Sequence, residues 1–134
     1  RAMATFVDTS ALLAVLDADE AAHRRSTTAW RQLLESNETL FTTSYVLVEC
    51  FALVQARLGI GAIRALVEAI EPALIVDWVD REMHHAASQA VLAAGKRKLS
   101  LVDCASFVAM RRRGVRRAFT LDRDFSDQGF ETIP

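Results

Sequence analysis

The sequence is poor in cysteine, proline and glycine, and each shortage excludes a class of protein. Its 134 residues include 2 Cys, 2 Pro and 5 Gly. The two cysteines, Cys50 and Cys104, are too few for a disulfide scaffold and form no C-x-x-C pair. We therefore expect a reducing compartment, the cytoplasm, with both thiols as small core residues. Few turn-forming residues also favour a fold that is rich in helices.

Long hydrophobic runs are missing as well. No apolar run approaches the ~18 residues that span a bilayer, so we expect no membrane association. A hydrophobic content of 51% and a charged content of 25% exclude a disordered chain. The length suits one domain, which we predict to span residues 3–134. Arg1 and Ala2, which precede Met3, are set aside as a cloning remnant.

The net charge is small, but the charge is unevenly distributed. The sequence has 16 basic and 17 acidic residues. The segment from Lys96 to Arg117, however, contains eight basic residues and one acidic residue, Asp103, which gives it a charge of +7. Such a segment suits a polyanion such as RNA, and basic side chains also suit a helix C-terminus. The candidate RNA-binding residues are Lys96, Arg97, Lys98, Arg111, Arg112 and Arg113.

The hydrophobic pattern predicts strands that alternate with helices. Strands are predicted at residues 4–7, 40–42, 73–76 (extending towards 79) and 117–121, with an edge strand near 130–133. Helices are predicted at residues 9–16, 20–36, 43–58, 62–70, 81–94 and 100–113, with breaks at Gly59 and Gly61. This alternation indicates an α/β domain with a largely parallel sheet of four to five strands. Ligands of such sheets bind at the carboxyl ends of the strands.

Four carboxylates follow or adjoin predicted strands. Asp8 ends the first strand, where it could also cap the next helix. Asp103 closes the pattern Ser100–Leu101–Val102–Asp103, which is also typical of a capping box. Asp122 follows the last main strand, where Asp is common in turns, and Asp124 is the alternative for the same role.

Glu49 is the carboxylate that fits a core least well. It is the one charge between Tyr45 and Val54, so we expect it to be partly buried or to line a cleft. A buried carboxylate without a partner costs several kcal/mol, so it needs a cation, either a salt-bridging Arg or a metal ion.

Gathered carboxylates repel one another unless cations neutralise them. Oxygen ligands favour Mg²⁺, with Mn²⁺ as a substitute. His23 stands alone and His84 and His85 are adjacent, which does not favour a zinc site. An acidic pocket beside a basic segment suits a phosphodiester substrate, because a divalent cation activates water and stabilises the leaving oxygen.

Taken in order, these motifs resemble those of PIN-domain nucleases. The matching segments are Phe6–Val7–Asp8–Thr9–Ser10–Ala11, Thr43–Ser44 with Val48–Glu49, Ser100–Leu101–Val102–Asp103, and Phe119–Thr120–Leu121–Asp122–Arg123–Asp124–Phe125. Within that family the chain most resembles VapC-type toxins of bacterial toxin–antitoxin pairs. The resemblance covers nearly the whole chain.

The resemblance implies a three-layer α/β/α fold and an Mg²⁺- or Mn²⁺-dependent endoribonuclease. It implies that Asp8, Glu49, Asp103 and Asp122 are the catalytic and metal-binding acids. Thr9, Ser10 and Thr120 match hydroxyl positions beside these acids. The implied substrate is structured RNA, either tRNA or rRNA, cut to leave a 5′-phosphate and a 3′-hydroxyl. The implied partners are a VapB-like antitoxin, which neutralises the toxin, and a second copy of the chain in a homodimer.

Other interpretations stay open from the sequence. A PIN nuclease of RNA processing or of DNA cleavage would need no antitoxin, and a PIN-fold binding module would use the same acids for capping and salt bridges. A phosphatase or receiver domain is disfavoured, because Asp8–Thr9–Ser10 lacks a second Asp two residues on. The apolar face of residues 62–70 suits either the core or a dimer contact.

Overall fold

The computed structural model describes residues 3–134 and contains a five-stranded parallel sheet. The strands are β1 (Ala4–Val7), β2 (Thr39–Thr43), β3 (Ile75–Asp77), β4 (Arg117–Phe119) and β5 (Glu131–Ile133). Their order across the sheet is β3-β2-β1-β4-β5, and each neighbouring pair is parallel. The predicted α/β class and strand number are therefore confirmed. The predicted remnant, Arg1 and Ala2, lies outside the described residues.

Seven α-helices connect the strands. They are α1 (Thr9–Leu16), α2 (His23–Glu35), α3 (Ser44–Arg57), α4 (Ile60–Ala65), α5 (Arg81–Ala94), α6 (Leu101–Arg113) and α7 (Arg123–Asp127). A π-helical turn (Leu66–Ile70) follows α4, and a 3₁₀ turn (Gly95–Arg97) follows α5.

The helices form one layer on each face of the sheet. Successive side chains of a strand point to opposite faces, so Val7 packs with the helices α1 to α4 while Phe6 packs with α5, α6 and α7. Trp30 of α2 stacks on Phe119 of β4 on the first face, with ring centroids 6.0 Å apart. Phe125 of α7 stacks with Phe6 on the second face. The three-layer α/β/α architecture implied by the resemblance is confirmed.

Several predicted boundaries shift where local turns intervene. The second helix begins at His23, because the residues before it form hydrogen-bonded turns. Gly59, with φ +83°, separates α3 from α4, whereas Gly61 lies inside α4. The third strand begins at Ile75, because a 3₁₀ turn (Glu71–Ala73) precedes it. The fourth strand ends at Phe119 and not at Leu121 as predicted, so two residues separate it from Asp122, whereas the end of β1 before Asp8 is as predicted.

The apolar face predicted at residues 62–70 belongs to the core. Leu66 and Ile70 are buried among α1, α2 and α3, and Ala62 and Ile63 pack against them. Val67, by contrast, is 43% exposed. Within residues 3–134, no helix is long and apolar enough to cross a membrane.

Candidate metal-dependent active site

Asp8 occupies the end of the central strand and is held by two hydroxyl groups. Its side chain is 3% exposed. Ser10 Oγ and Thr120 Oγ1 each donate a 2.8 Å hydrogen bond to Asp8 Oδ2. Asp8 stands at the N-cap position of α1, but its side chain makes no capping hydrogen bond. The hydroxyls of Ser10 and Thr120 therefore position the carboxylate, which does not cap the helix.

Burial raises the pKa of Asp8 above its ordinary range. The hydrogen bonds from Thr120 and Ser10 oppose this change, and the nearby charge of Asp122 adds to it. Within residues 3–134, no Lys or Arg forms an ion pair with Asp8. A buried carboxylate of this kind requires a cation or a proton from outside the chain.

Glu49 faces the same cleft from α3. Its side chain is of intermediate exposure, between the exposed Val48 and the buried Cys50. It lines a cleft of about 270 Å³ together with Asp8, Asp103 and Asp122. No ion pair to Glu49 occurs among the described residues. The salt bridge considered for this residue from sequence is therefore not formed in that part of the chain.

Asp103 lies in the first turn of α6, at the mouth of the cleft. Ser100 Oγ accepts a 3.0 Å hydrogen bond from the Asp103 backbone N–H, which caps the helix. Burial raises the pKa of the Asp103 carboxyl to about 7, and the charges of Asp8 and Asp122 contribute to this rise. Its carboxylate is thus placed among other acids, in addition to the capping that the sequence pattern predicted.

Asp122 and Asp124 approach Asp103 from the other side. Asp122 Oδ1 accepts a 2.9 Å hydrogen bond from the Asp124 backbone N–H and so caps α7. Asp103, Asp122 and Asp124 each offer a carboxylate oxygen, and these three atoms lie within 4.8 Å of one another. Burial and the charge of Asp122 also raise the pKa of Asp124. Both candidates for the fourth acidic position therefore meet Asp103.

A hydroxyl network joins the ends of β1 and β4. Besides binding Asp8, Ser10 Oγ accepts from the Leu121 N–H at 2.9 Å, and Thr120 Oγ1 accepts from the Asp122 N–H at 3.0 Å. Thr9, the alternative hydroxyl considered from sequence, instead donates to the Val46 carbonyl at 3.5 Å. Ser10 and Thr120 are thus the hydroxyls that contact the acids.

The basic residues predicted from sequence occupy two different places. The charge of Arg97 opposes part of the rise in the pKa of Asp124, and Lys96 and Lys98 flank Arg97 in the connection to α6. Arg111, Arg112 and Arg113 stand at the opposite end of α6, about 12 Å along its axis from Asp103. Their partners there are Gln128 for Arg111, Glu82 for Arg112, and Asp77 for Arg113.

The cysteines take no part in the site. Cys50 and Cys104 are free and buried. Burial raises the pKa of Cys50 to about 12, and burial also raises the pKa of Cys104. Both thiols are therefore protonated near neutral pH and serve as core residues, as the sequence predicted.

Sequence reasoning did not single out Ser100 as a residue of the cleft. It lines the cleft beside Asp103 because the cap of α6 forms part of the cleft wall. The Ser100–Asp103 capping pattern was the available signal.

The donor set fits a hard divalent cation. The charged groups that line the cleft are all carboxylates, and the neighbouring donors are hydroxyls. Oxygen ligands of this type suit Mg²⁺ or Mn²⁺. The pKa values of Asp8 and Asp103 are raised because ionising these carboxyls in the fold is unfavourable. A bound cation would favour the ionised forms and so offset this free-energy cost.

Comparison with known proteins relates this arrangement to a family. Residues 5–131 match the family model of the PIN domain. The 23S rRNA-specific endonuclease VapC20 of Mycobacterium tuberculosis is 30% identical over 129 residues, which are 96% of this chain and 96% of that protein.

Solved structures show the same relationship. The crystal structure of M. tuberculosis VapC20, a Sarcin-Ricin loop cleaving toxin, matches with a TM-score of 0.85 and 30% identity over 97% of this chain and 99% of that one. Two further structures share the fold at low sequence identity. VapBC2 from Rickettsia felis matches with a TM-score of 0.71 and 13% identity over 97% of each chain. FitAcB from Neisseria gonorrhoeae matches with a TM-score of 0.70 and 15% identity over 98% of this chain and 97% of that one. The chain belongs to the PIN-domain family and, within it, is similar to the VapC toxins.

Proposed function

We propose that this protein is the endoribonuclease toxin of a toxin–antitoxin pair and that it acts with Mg²⁺. The observation that carries the proposal is the cleft lined by Asp8, Glu49, Asp103 and Asp122, none of which forms an ion pair with a basic residue of the described part of the chain. A binding module that kept these acids for structure would pair or cap with them. Asp8 does neither, which favours a catalytic role.

The substrate we propose is 23S rRNA at its sarcin–ricin loop. VapC20 is named for that RNA and that loop, and its alignment with this chain covers 96% of both proteins. The resemblance alone left tRNA and rRNA open, and the similarity to VapC20 favours rRNA. Cleavage there would inhibit translation, and we propose a cytoplasmic location because the ribosomes are found there.

The residues proposed to hold the cation are the four acids of the cleft: Asp8, Glu49, Asp103 and Asp122. Asp124, whose carboxylate lies near those of Asp103 and Asp122, could supply a further ligand to the cation. When bound, the cation would activate water for attack on phosphorus and stabilise the leaving oxygen. The hydroxyls of Ser10 and Thr120 both donate to one oxygen of Asp8, which fixes the carboxylate in a single orientation. Such prior orientation of a ligand favours binding, because less freedom remains to be lost.

An antitoxin of the VapB type is the proposed regulatory partner, because VapC20 is described as a toxin and VapBC2, which shares the fold, is described as a VapBC pair. We also propose a homodimer, since α3, α4 and β3 leave the large apolar side chains Val48, Ile60 and Ile75 more than half exposed. Sedimentation of the purified chain measures its mass directly. A monomer at micromolar concentration would contradict the dimer and leave the nuclease proposal untouched.

Cleavage of purified ribosomes and of total RNA tests the function. We expect Mg²⁺-dependent cutting of 23S rRNA, with a 5′-phosphate on the downstream fragment, and no cutting in EDTA. Asp103→Asn should be inactive, whereas Glu35→Gln, which removes one exposed acid at the end of α2, should cut normally. Equal cutting by the two variants would exclude this site.

The thermal stability of the protein in Mn²⁺ separates the nuclease from the binding module. A cation that binds only the folded protein raises its melting temperature. No shift in the wild-type protein, together with no cutting, would favour the non-catalytic interpretation.

A further inference from the structure

A second cleft adjoins the acidic cleft on its β5 side and has the opposite character. It encloses about 160 Å³ and is lined by two arginines, Arg25 and Arg123, and by the hydroxyl residues Thr120, Ser126 and Thr132. Asp122 lines both clefts, so the two adjoin at this residue. The share of liquid volume per water is about 30 Å³, so this space holds roughly five waters or one hydrated phosphate group.

The two arginines reach this cleft from elements with fixed positions. Arg25 lies in the first turn of α2, which Trp30 anchors on Phe119. Arg123 begins α7, which the Asp122 cap and the fully buried Phe125 hold in place. Two exposed arginines from separate parts of the sequence therefore line one cleft at the end of the sheet.

Neither guanidinium is neutralised within the described chain. Arg25 and Arg123 form no ion pair with any carboxylate of residues 3–134, whereas Arg113 and Arg117 do. Asp122 is the acidic residue that lines the same cleft, and its side chain already accepts the Asp124 N–H. The hydroxyls of Thr120 and Ser126 already donate to Asp8 and to the Arg123 carbonyl, which leaves the Thr132 hydroxyl as the further donor. Two arginines and this hydroxyl thus line a small space with one acidic side chain at its edge.

We infer that this cleft is a phosphate subsite, which binds a phosphate of the RNA next to the one that is cleaved. The inference rests on the proposed nuclease function. Arginine binds phosphate in a two-pronged geometry that hydroxyl groups complement. A polynucleotide carries one phosphate per nucleotide, so a strand with one phosphate at the acids presents its neighbour to the adjoining cleft. The subsite would also offset the repulsion between the acids and the RNA backbone.

Arg25 and Arg123 are thereby assigned to substrate binding. The two clefts define a path for the RNA along the carboxyl edge of the sheet. One flank of the cleaved phosphate lies towards β5, where these arginines stand. The sequence does not show this, because the two residues are 98 positions apart.

The test compares the double variant Arg25→Ala/Arg123→Ala with Arg31→Ala, which removes one exposed arginine from the same helix α2. Binding of a labelled single-stranded RNA is measured against salt in the Asp103→Asn background, where no cutting is expected. Each phosphate contact contributes about 0.7 to the slope of log affinity against log salt, so loss of this one contact in the double variant should lower the slope by about 0.7 and the affinity by roughly fivefold at 0.1 M salt. Arg31→Ala should change neither.

In the active background, the double variant should raise KM and leave kcat within twofold. Mn²⁺ should stabilise it as much as the parent, since the acids are intact. Arg25→Lys/Arg123→Lys, which keeps both charges, should restore most of the salt dependence and controls for folding.

Three results would overturn the subsite. An unchanged salt slope and KM in a protein that cuts RNA would exclude it while leaving the nuclease function standing. Loss of affinity for the antitoxin alone would make the cleft a protein-docking site. Failure of the parent protein to bind or cut any RNA would remove both the function and the subsite.

Discussion

Asp103→Asn should make the metal-free protein more stable at pH 8 while abolishing its activity. The ordinary pKa of an aspartate side chain, 3.8, becomes about 7 at Asp103 because of burial and the charges of Asp8 and Asp122. At about 1.4 kcal/mol for each pH unit between the two values, an ionised Asp103 costs the folded state about 4 kcal/mol. Solvent still reaches part of this side chain, so we halve the cost to about 2 kcal/mol.

The asparagine also removes a favourable charge from the first turn of α6, which is worth about 0.5 kcal/mol. The net gain is therefore about 1.5 kcal/mol at pH 8. In a domain of this length, a gain of that size raises the melting temperature by about 6 °C.

The gain should depend on pH in one direction. A carboxyl whose folded pKa is raised contributes stability that is present below pH 4 and is lost as the pH rises towards 7. The advantage of the variant should therefore be small at pH 4 and complete at pH 8.

Thermal denaturation in EDTA at the two pH values, followed by circular dichroism, measures this difference, with Glu35→Gln as the control. Adding Mn²⁺ should reverse the order, because a cation at 100 times its Kd stabilises the wild-type protein by about 2.7 kcal/mol. If Asp103→Asn melts below the wild-type protein in EDTA at pH 8, or differs from it equally at pH 4 and pH 8, the reasoning from repulsion is refuted.

Three further predictions concern the groups around this acid. Thr120→Val removes the hydroxyl that binds Asp8, so the free energy of unfolding should fall by about 1–3 kcal/mol and the cleavage rate by about tenfold. Thr120→Ser, which keeps the hydroxyl, should restore both. Equal activity of the two variants would contradict the role of the hydroxyl. Mn²⁺ affinity, measured by titration calorimetry, should rise by about tenfold per pH unit from pH 6 towards 7 as Asp103 loses its proton, and a flat profile would place the cation elsewhere. Trp30→Ala should cost about 3–5 kcal/mol in chemical denaturation, and a loss below 1 kcal/mol would show that α2 does not depend on its stacking with Phe119.

Much of the local structure follows from the sequence. The predicted bounds of β1 and of the helices α1 and α5 agree with the structure, because a buried apolar strand and a 3.6-residue pattern are local signals. The cap of α6 by Ser100 is likewise encoded by three neighbouring residues. The predicted start of β3 was wrong, because the apolar run after Pro72 fits a strand pattern although its first residue belongs to a 3₁₀ turn.

The sequence by itself determined that the acids follow strands in a parallel α/β domain, which brings Asp8 and Asp122 to one edge of the sheet. Only the tertiary structure decided what each acid meets. Thr120 binds Asp8 across 112 positions of sequence because β4 pairs with β1. Arg25 and Arg123 share one cleft because α2 packs on β4. Periodicity records which face of an element is buried, whereas the lateral order of the strands and the packing of helices on them select the partners.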